Sequence, residues 1–224
     1  MKIGVSGCSH SSYGWGNPWH HYMGETLNAE IVSSSSRGAG NEMNLEKIKH
    51  ILDNNDLEFF VYQVTQPSRL VIGTTMGEHK DGPHESNTFN GVHYYTFNGN
   101  DNESNLKRIY NKEYNVDNFI INEVIPSDYN VHYKVFHTLM SINQLCNFYN
   151  TKVVFFSWFV DLQKEAKKIG YTDILNKMCF IEGCVEDFVA TQNIKSIPND
   201  GHFESESHKK IYNNYLHPQL LKLI

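Results

Sequence analysis

No apolar run in this chain approaches the roughly 20 residues needed to span a bilayer. The apolar opening, Met1 to Ser6, is interrupted at once by Gly7 to Ser12, which excludes the apolar core of a secretory signal. Positive charge is sparse. Beyond the pairs Lys167-Lys168 and Lys209-Lys210 nothing gathers it, and 19 Lys and Arg against 25 Asp and Glu leave a net charge of −6. That argues against a phosphate-backbone partner, because nucleic-acid binding shows a basic patch. Cysteines number only four, Cys8, Cys146, Cys179 and Cys184, with no CxxC spacing. They read as reduced thiols rather than a disulfide framework. Gly14-Trp15-Gly16 lacks the third glycine of a dinucleotide fingerprint, and no GKS or GKT triplet marks a P-loop. The expectation is a cytoplasmic domain with no membrane, nucleic-acid or cofactor partner; secretion by a route the sequence does not show stays open.

What is present is an alternation of strands and helices over 224 residues, enough for one domain with a sizeable core. Met1 to Ser6 reads as a short buried strand. Pro18 to Asn28 reads as a helix with Trp19, Tyr22, Met23 and Leu27 on its apolar face. Ala29 to Val32 is a second strand, and Asn41 caps a helix running to Asp53. Leu57 to Val64, LEFFVYQV, is a third strand, broken by Pro67. A long helix follows Pro126 to about Tyr149, with Val135, Leu139, Ile142, Cys146 and Tyr149 on one face. Lys152 to Phe159 is apolar without alternation, as a strand covered on both faces should be. Helices follow at Asp161 to Lys168, Val185 to Thr191 and Ser205 to Tyr215, and Pro218 to Ile224 docks on the domain.

This pattern predicts an α/β fold, a three-layer α/β/α sandwich with a mostly parallel central sheet. Residues 68–116 are rich in Gly, Asn, His and Thr and show no clear period beyond a short helix near Leu106. They predict a long loop insertion within a single domain covering 1–224, acting as a lid or a partner-binding excursion, or forming a surface loop.

Parallel sheets of this kind place their sites at the carboxyl ends of strands. The first strand ends at Gly7, and Cys8, Ser9, His10, Ser11 and Ser12 crowd the turn after it. A strand that stops at a glycine and delivers a serine to a turn presents a nucleophile, with turn amides facing an anion. The same residues also make a plain polar β-turn. Further strand-end loops are Arg37-Gly38-Ala39-Gly40-Asn41 and Gln63-Val64-Thr65-Gln66-Pro67-Ser68-Arg69. Asp200-Gly201-His202 opens the last helical segment.

In that order and spacing the four blocks resemble the SGNH (GDSL-like) hydrolases, across nearly the whole chain. The Gly-Cys-Ser first block and Thr-x-Pro-Ser-Arg after the third strand resemble a short subgroup met in bacteria and phages. The abundance of Asn, Lys, Ile and Tyr suits an AT-rich genome. The resemblance implies a flavodoxin-like topology and a serine esterase. Ser9 would be the nucleophile, His202 the general base and Asp200 the residue that holds the imidazole tautomer. The amides of Ser9 and Gly38 would face the oxyanion. The family's third-block Asn is absent; Thr65 or Gln66 stands near its place, and Gln63 is two residues earlier on the strand. Asp200 stands two residues before His202 where the family spaces three, so Asn199 competes with it. The substrate implied is a small acyl ester, such as an acetyl group on a carbohydrate. Acyl transfer to a sugar and a non-catalytic binding protein are the other readings.

Arg69 can bind an anionic substrate group or make a structural salt bridge. Trp15 and Trp19 are core residues or the wall of an acyl or sugar pocket. No metal is expected: His202 to His208 lacks HExxH spacing, and its carboxylates suit a helix start. His79, His84 and His93 in the long loop leave a loop metal as the alternative, and His208 reads as a structural helix residue.

Overall fold

The computed structural model describes residues 1–36, 39–66, 70–74, 88–89, 92–97, 133–198 and 200–224. Strands β1 (Lys2–Ser6), β2 (Glu30–Ser33), β3 (Phe59–Val64), β7 (Lys152–Ser157) and β8 (Cys179–Phe180) form one sheet in the order β2-β1-β3-β7-β8. Every pairing in it is parallel. The order reverses direction at β1, so the carboxyl ends of β1 and β3 flank the crevice where such sheets bind ligands.

Helices cover both faces, and the strands explain why. Phe59 and Val61 of β3, with Ile3, Val5, Val154 and Phe156, pack on one side against α1 (Trp19–Leu27), α6 (Val185–Thr191), α7 (Ser205–Ile211) and α8 (His217–Leu223). Phe60, Tyr62 and Val64, with Val153 and Phe155, pack on the other against α2 (Asn41–Asn54), α3 (Lys134–Phe148), α4 (Leu162–Lys168) and the short α5 (Thr172–Leu175). Period-2 alternation therefore feeds two cores, and both faces must be apolar. The α/β/α sandwich is the architecture that the alternation of elements predicts.

Three details differ from the sequence reading. Gly40, not Asn41, is the cap of α2; the Asn41 side chain turns inward instead, for the reason given below. The last helix does not stop at Tyr215: α7 passes through a π-helical turn, Tyr212–Leu216, into α8, with Tyr212 and Leu216 buried. Residues 68–116 are not loop throughout. Leu70–Thr74 (β4), Thr88–Phe89 (β5) and Val92–Phe97 (β6) form a small antiparallel sheet in the order β4-β6-β5. Its sequence signal was an Asn90-Gly91 dipeptide between runs of aromatic and β-branched residues, a hairpin signature diluted by the polar residues around it. The expected helix near Leu106 lies outside the described residues. Among the described residues no helix is long and apolar enough to cross a membrane.

Candidate active site

The carboxyl end of β1 is held by a buried polar network. A Cβ on Gly7 would stand 2.8 Å from both Cβ and Oε1 of Gln63, so only glycine lets β1 and the Gln63 side chain approach this closely. Beyond it Ser9–Ser11 form a single 3-10 turn, with the Ser11 amide donating to the Cys8 carbonyl at 2.9 Å. Gln63 turns both ends of its amide to this turn: Oε1 accepts from Ser11 Oγ, and Nε2 donates to Cys8 Sγ at 3.0 Å. Ser11 Oγ also accepts from Trp19 Nε1 at 2.8 Å, and the Ser11 carbonyl accepts from His20 Nε2 at 2.9 Å. His20 is fully buried, and that burial pushes its pKa down to about 4, so the ring is neutral. Ser9 itself is 7% exposed. Its amide, at the first position of the turn, is among the donors that a helical turn leaves without an intrahelical acceptor.

The second half of the candidate site is the segment before α7. His202 Nδ1 pairs with Asp200 Oδ1, and Asp200 Oδ2 accepts from Trp15 Nε1 at 2.8 Å. The Trp15 indole lies flat on the His202 ring, 3.6 Å between centroids and 7° between planes. On the Ser9 side the neighbouring His10 ring is 4.9 Å from His202 and stacks at 4.1 Å on Trp158, just beyond β7. His202 Nε2 is buried and has no hydrogen-bond partner among the described residues, so Ser9 Oγ is not bonded to it. Behind this segment His208 is buried; burial first, then the charges of His20 and His202, push it down to about 4.

Gly38, Arg69 and Asn199 lie outside the described residues. The segment preceding Gly38 runs along the end of β1, with the Ser34 amide donating to the Val5 carbonyl at 3.0 Å and the Ser36 amide to the Gly7 carbonyl at 3.4 Å. Lys47 of α2 is buried beneath it and donates to Ser36 Oγ; burial pulls its ammonium down to about 8. Asn41 Oδ1 accepts from Tyr62 Oη at 2.7 Å and from the Thr65 amide at 3.0 Å. That is why Asn41 faces inward, and it commits the Thr65 amide. The Thr65 hydroxyl is different: it is fully buried and has no partner among the described residues. Gln66 is half-buried.

The structure thus brings Asp200 and His202 together and sets His202 against the ring of Ser9's neighbour. Gln63 is committed to the turn, so it is a support and not a free donor. Sequence reasoning missed the roles of Trp15, Ser11, Gln63 and Asn41. Gln63 carried a signal, as a polar residue inside an otherwise apolar strand covered on both faces. Trp19 is core, and Trp15 belongs to the site. Among the described residues no group of three or more His, Cys, Asp or Glu side chains converges as metal ligands would.

No protein-family model and no curated sequence matches this chain. Solved structures do. The crystal structure of TesA matches with a TM-score of 0.60 at 12% identity, covering 100% of both chains. A member of the lipolytic protein G-D-S-L family from Veillonella parvula matches at 0.54 and 10% identity, over 100% of this chain and 98% of that one. An acetylxylan esterase from Geobacillus stearothermophilus matches at 0.52 and 10% identity, over 99% and 93%. The fold is that of the G-D-S-L proteins. The similarity runs from end to end of this chain.

Proposed function

We propose that the chain is a serine esterase that hydrolyses a small acyl ester, such as an acetyl ester, through an acyl-enzyme. Ser9 attacks the carbonyl carbon, His202 Nε2 takes its proton, and Asp200 holds Nδ1–H and the imidazolium that forms. The Ser9 amide, a Gly38 amide and the Thr65 hydroxyl, with Gln66 beside it, face the developing oxyanion. His202 then returns its proton to the leaving alkoxide, and water repeats the sequence to release the acid. Arg69 is assigned either to an anionic group on the alcohol part of the ester or to a structural salt bridge. The observation that carries this reading is the Asp200–His202 pair, with Nδ1 occupied and Nε2 buried and unpartnered, beside the turn of Ser9. Two catalytic mutants of the acetylxylan esterase replace a serine and a histidine by alanine, which supports assigning chemistry to the same pair of residue types here.

One observation favours the reading of a non-catalytic binding protein: Ser9 and His202 share no hydrogen bond. Such bonds are often long in free sites and tighten with substrate. Labelling by a fluorophosphonate probe decides between the two. The esterase labels at Ser9, and Ser9→Ala neither labels nor turns over p-nitrophenyl acetate while keeping its unfolding temperature. A wild-type chain that does not label is the binding protein. Product analysis with and without a sugar acceptor separates hydrolysis from acyl transfer.

A further inference from the structure

The Asp200–His202 pair has little backbone support of its own. It sits on a short segment where Gly201 adopts φ +78° and a Cβ there would meet nothing within 4 Å. The segment is pinned through Ile197, whose amide donates to the His202 carbonyl at 2.7 Å and whose carbonyl accepts from the Asp200 amide at 3.2 Å. Those bonds fix the main chain. They do not by themselves set the side-chain torsions of Asp200 and His202, and the Asp200 side chain is 36% exposed, so water competes for it.

One side chain contacts both groups. The Trp15 indole presents its N–H edge to Asp200 Oδ2 at 2.8 Å while its face lies on His202 at 3.6 Å and 7°. The carboxylate is held with Oδ1 toward Nδ1, and the imidazole is confined between Trp15 and His10. Trp15 is itself fixed to the segment it serves. The Asn17 amide donates to Ser205 Oγ, at the start of α7, at 2.9 Å. Gly16 has φ +113°, and a Cβ there would come within 2.4 Å of Ser205 Oγ, so glycine is required for the approach. The indole face is also where a cation is stabilised, which matters because the base becomes an imidazolium during the reaction.

We propose that Trp15 is a positioning residue for the general base, clamping Asp200 by its N–H and His202 by its ring face. This rests on the esterase reading for its kinetic consequence but not for its structural one. Through Trp15, the segment that presents the nucleophile also aims the base: residues 9 to 17 carry Ser9 at one end and the clamp at the other.

The test uses Trp15→Phe and Trp15→Leu in the full chain, each also in a Ser9→Ala background. Two quantities are read: kcat and KM on p-nitrophenyl acetate, and the far-downfield proton resonance of the His202 Nδ1–H bonded to Asp200. Trp15→Phe keeps a ring over the imidazole and loses the N–H, and should lose about tenfold in kcat with KM nearly unchanged. Trp15→Leu loses both contacts and should lose about a hundredfold. The resonance should broaden in Phe and vanish in Leu, with or without Ser9. A hundredfold effect confined to KM would make Trp15 a substrate wall and overturn the proposal, as would an unchanged resonance in Trp15→Leu. Should Trp15→Leu fail to fold, Trp15→Phe alone carries the test, and an unchanged kcat and resonance there overturn it. If the resonance responds in the Ser9→Ala background while wild type fails to label with fluorophosphonate, the clamp stands and the esterase reading falls.

Discussion

The two halves of the candidate site are held in place by different physics. The turn of Ser9 is fixed by the core: Gln63, Trp19, Ser11 and Cys8 are all buried and joined by hydrogen bonds that water cannot reach. The Asp200–His202 pair lies nearer the surface, on a segment with a left-handed glycine, and an indole from the other half reaches over to contact both side chains. Polar contacts are stronger and costlier to break in the first environment than in the second. The serine turn should therefore fail by unfolding, and the base by losing its aim with the fold intact.

Asp200→Asn gives the largest effect and attacks the second half alone. A carboxylate stabilises the imidazolium and fixes its tautomer, whereas an amide can only do the latter. Such a replacement costs about 10⁴ in rate in well-studied triads. A loss of between about 10² and 10⁴ in kcat is expected here, with the thermal unfolding midpoint unchanged, because an exposed carboxylate contributes little to stability. Asn199→Ala should lose much less. If that order is reversed, the wider family spacing holds and Asn199 orients the ring.

Thr65→Val sharpens the contrast from a third strand end. Its hydroxyl is buried without a partner among the described residues, so it costs desolvation that none of them offsets. Valine should be neutral or stabilising by thermal denaturation. If the hydroxyl meets the oxyanion, kcat should still fall by about 10²-fold, the low end for one lost donor. Unchanged kcat would leave Gln66 as the third donor.

Much of the fold was legible because its signals are collective. Phe59 to Val64 and Val153 to Phe156 are apolar at every or nearly every position, which only a strand covered on both faces requires. The small sheet at Leu70–Phe97 was not legible, because two residues of β5 carry no period and a hairpin dipeptide says little among many Asn and Gly. At the candidate site, Ser9 drew attention as the second residue after Gly7 at a strand end, and Asp200 and His202 because they flank Gly201 ahead of a helix. Trp15 could not be. Its contacts to Asp200 and His202 span about 185 residues of chain, and no local pattern encodes which ring an indole will cover. The inward turn of Asn41 was hidden for a similar reason: an Asn at a helix start reads as a cap, and its pull toward Tyr62 and the Thr65 amide is a tertiary effect.

Gln63→Leu attacks the first half. It keeps the volume but leaves the Ser11 hydroxyl without its acceptor and the Cys8 thiol without its donor. A buried group left unsatisfied costs about 1–3 kcal/mol, so the unfolding midpoint should drop by several degrees. Turnover should fall by less than in Asp200→Asn. A variant as stable as wild type would mean the network is ornamental, and the proposed contrast between the halves would fail.

A last difference separates the two halves by pH. His20 serves the Ser9 turn and His208 sits behind the base, and burial pushes each down to about 4 in the folded chain. In the unfolded chain both return to about 6.5, so between those values the unfolded chain binds more protons. Stability is then full above about pH 6.5 and is lost as pH falls toward 4, on the order of 3 kcal/mol for each ring taken alone. The two do not add, because the His20 charge is part of what depresses His208. His208→Phe should remove part of this slope. The ring packs against Trp158 and Phe203, and its Nδ1 has no partner to lose, so the midpoint at pH 7.5 should be unchanged or higher. His20→Phe should also flatten the slope, but it breaks the bond to the Ser11 carbonyl and leaves that acceptor buried. It should therefore lower the midpoint at pH 7.5 by an amount typical of one unsatisfied group, about 1–3 kcal/mol. Thermal unfolding of wild type and both variants from pH 4 to 7.5 measures this. Equal midpoints for the two variants at pH 7.5 would mean that the serine turn does not depend on His20.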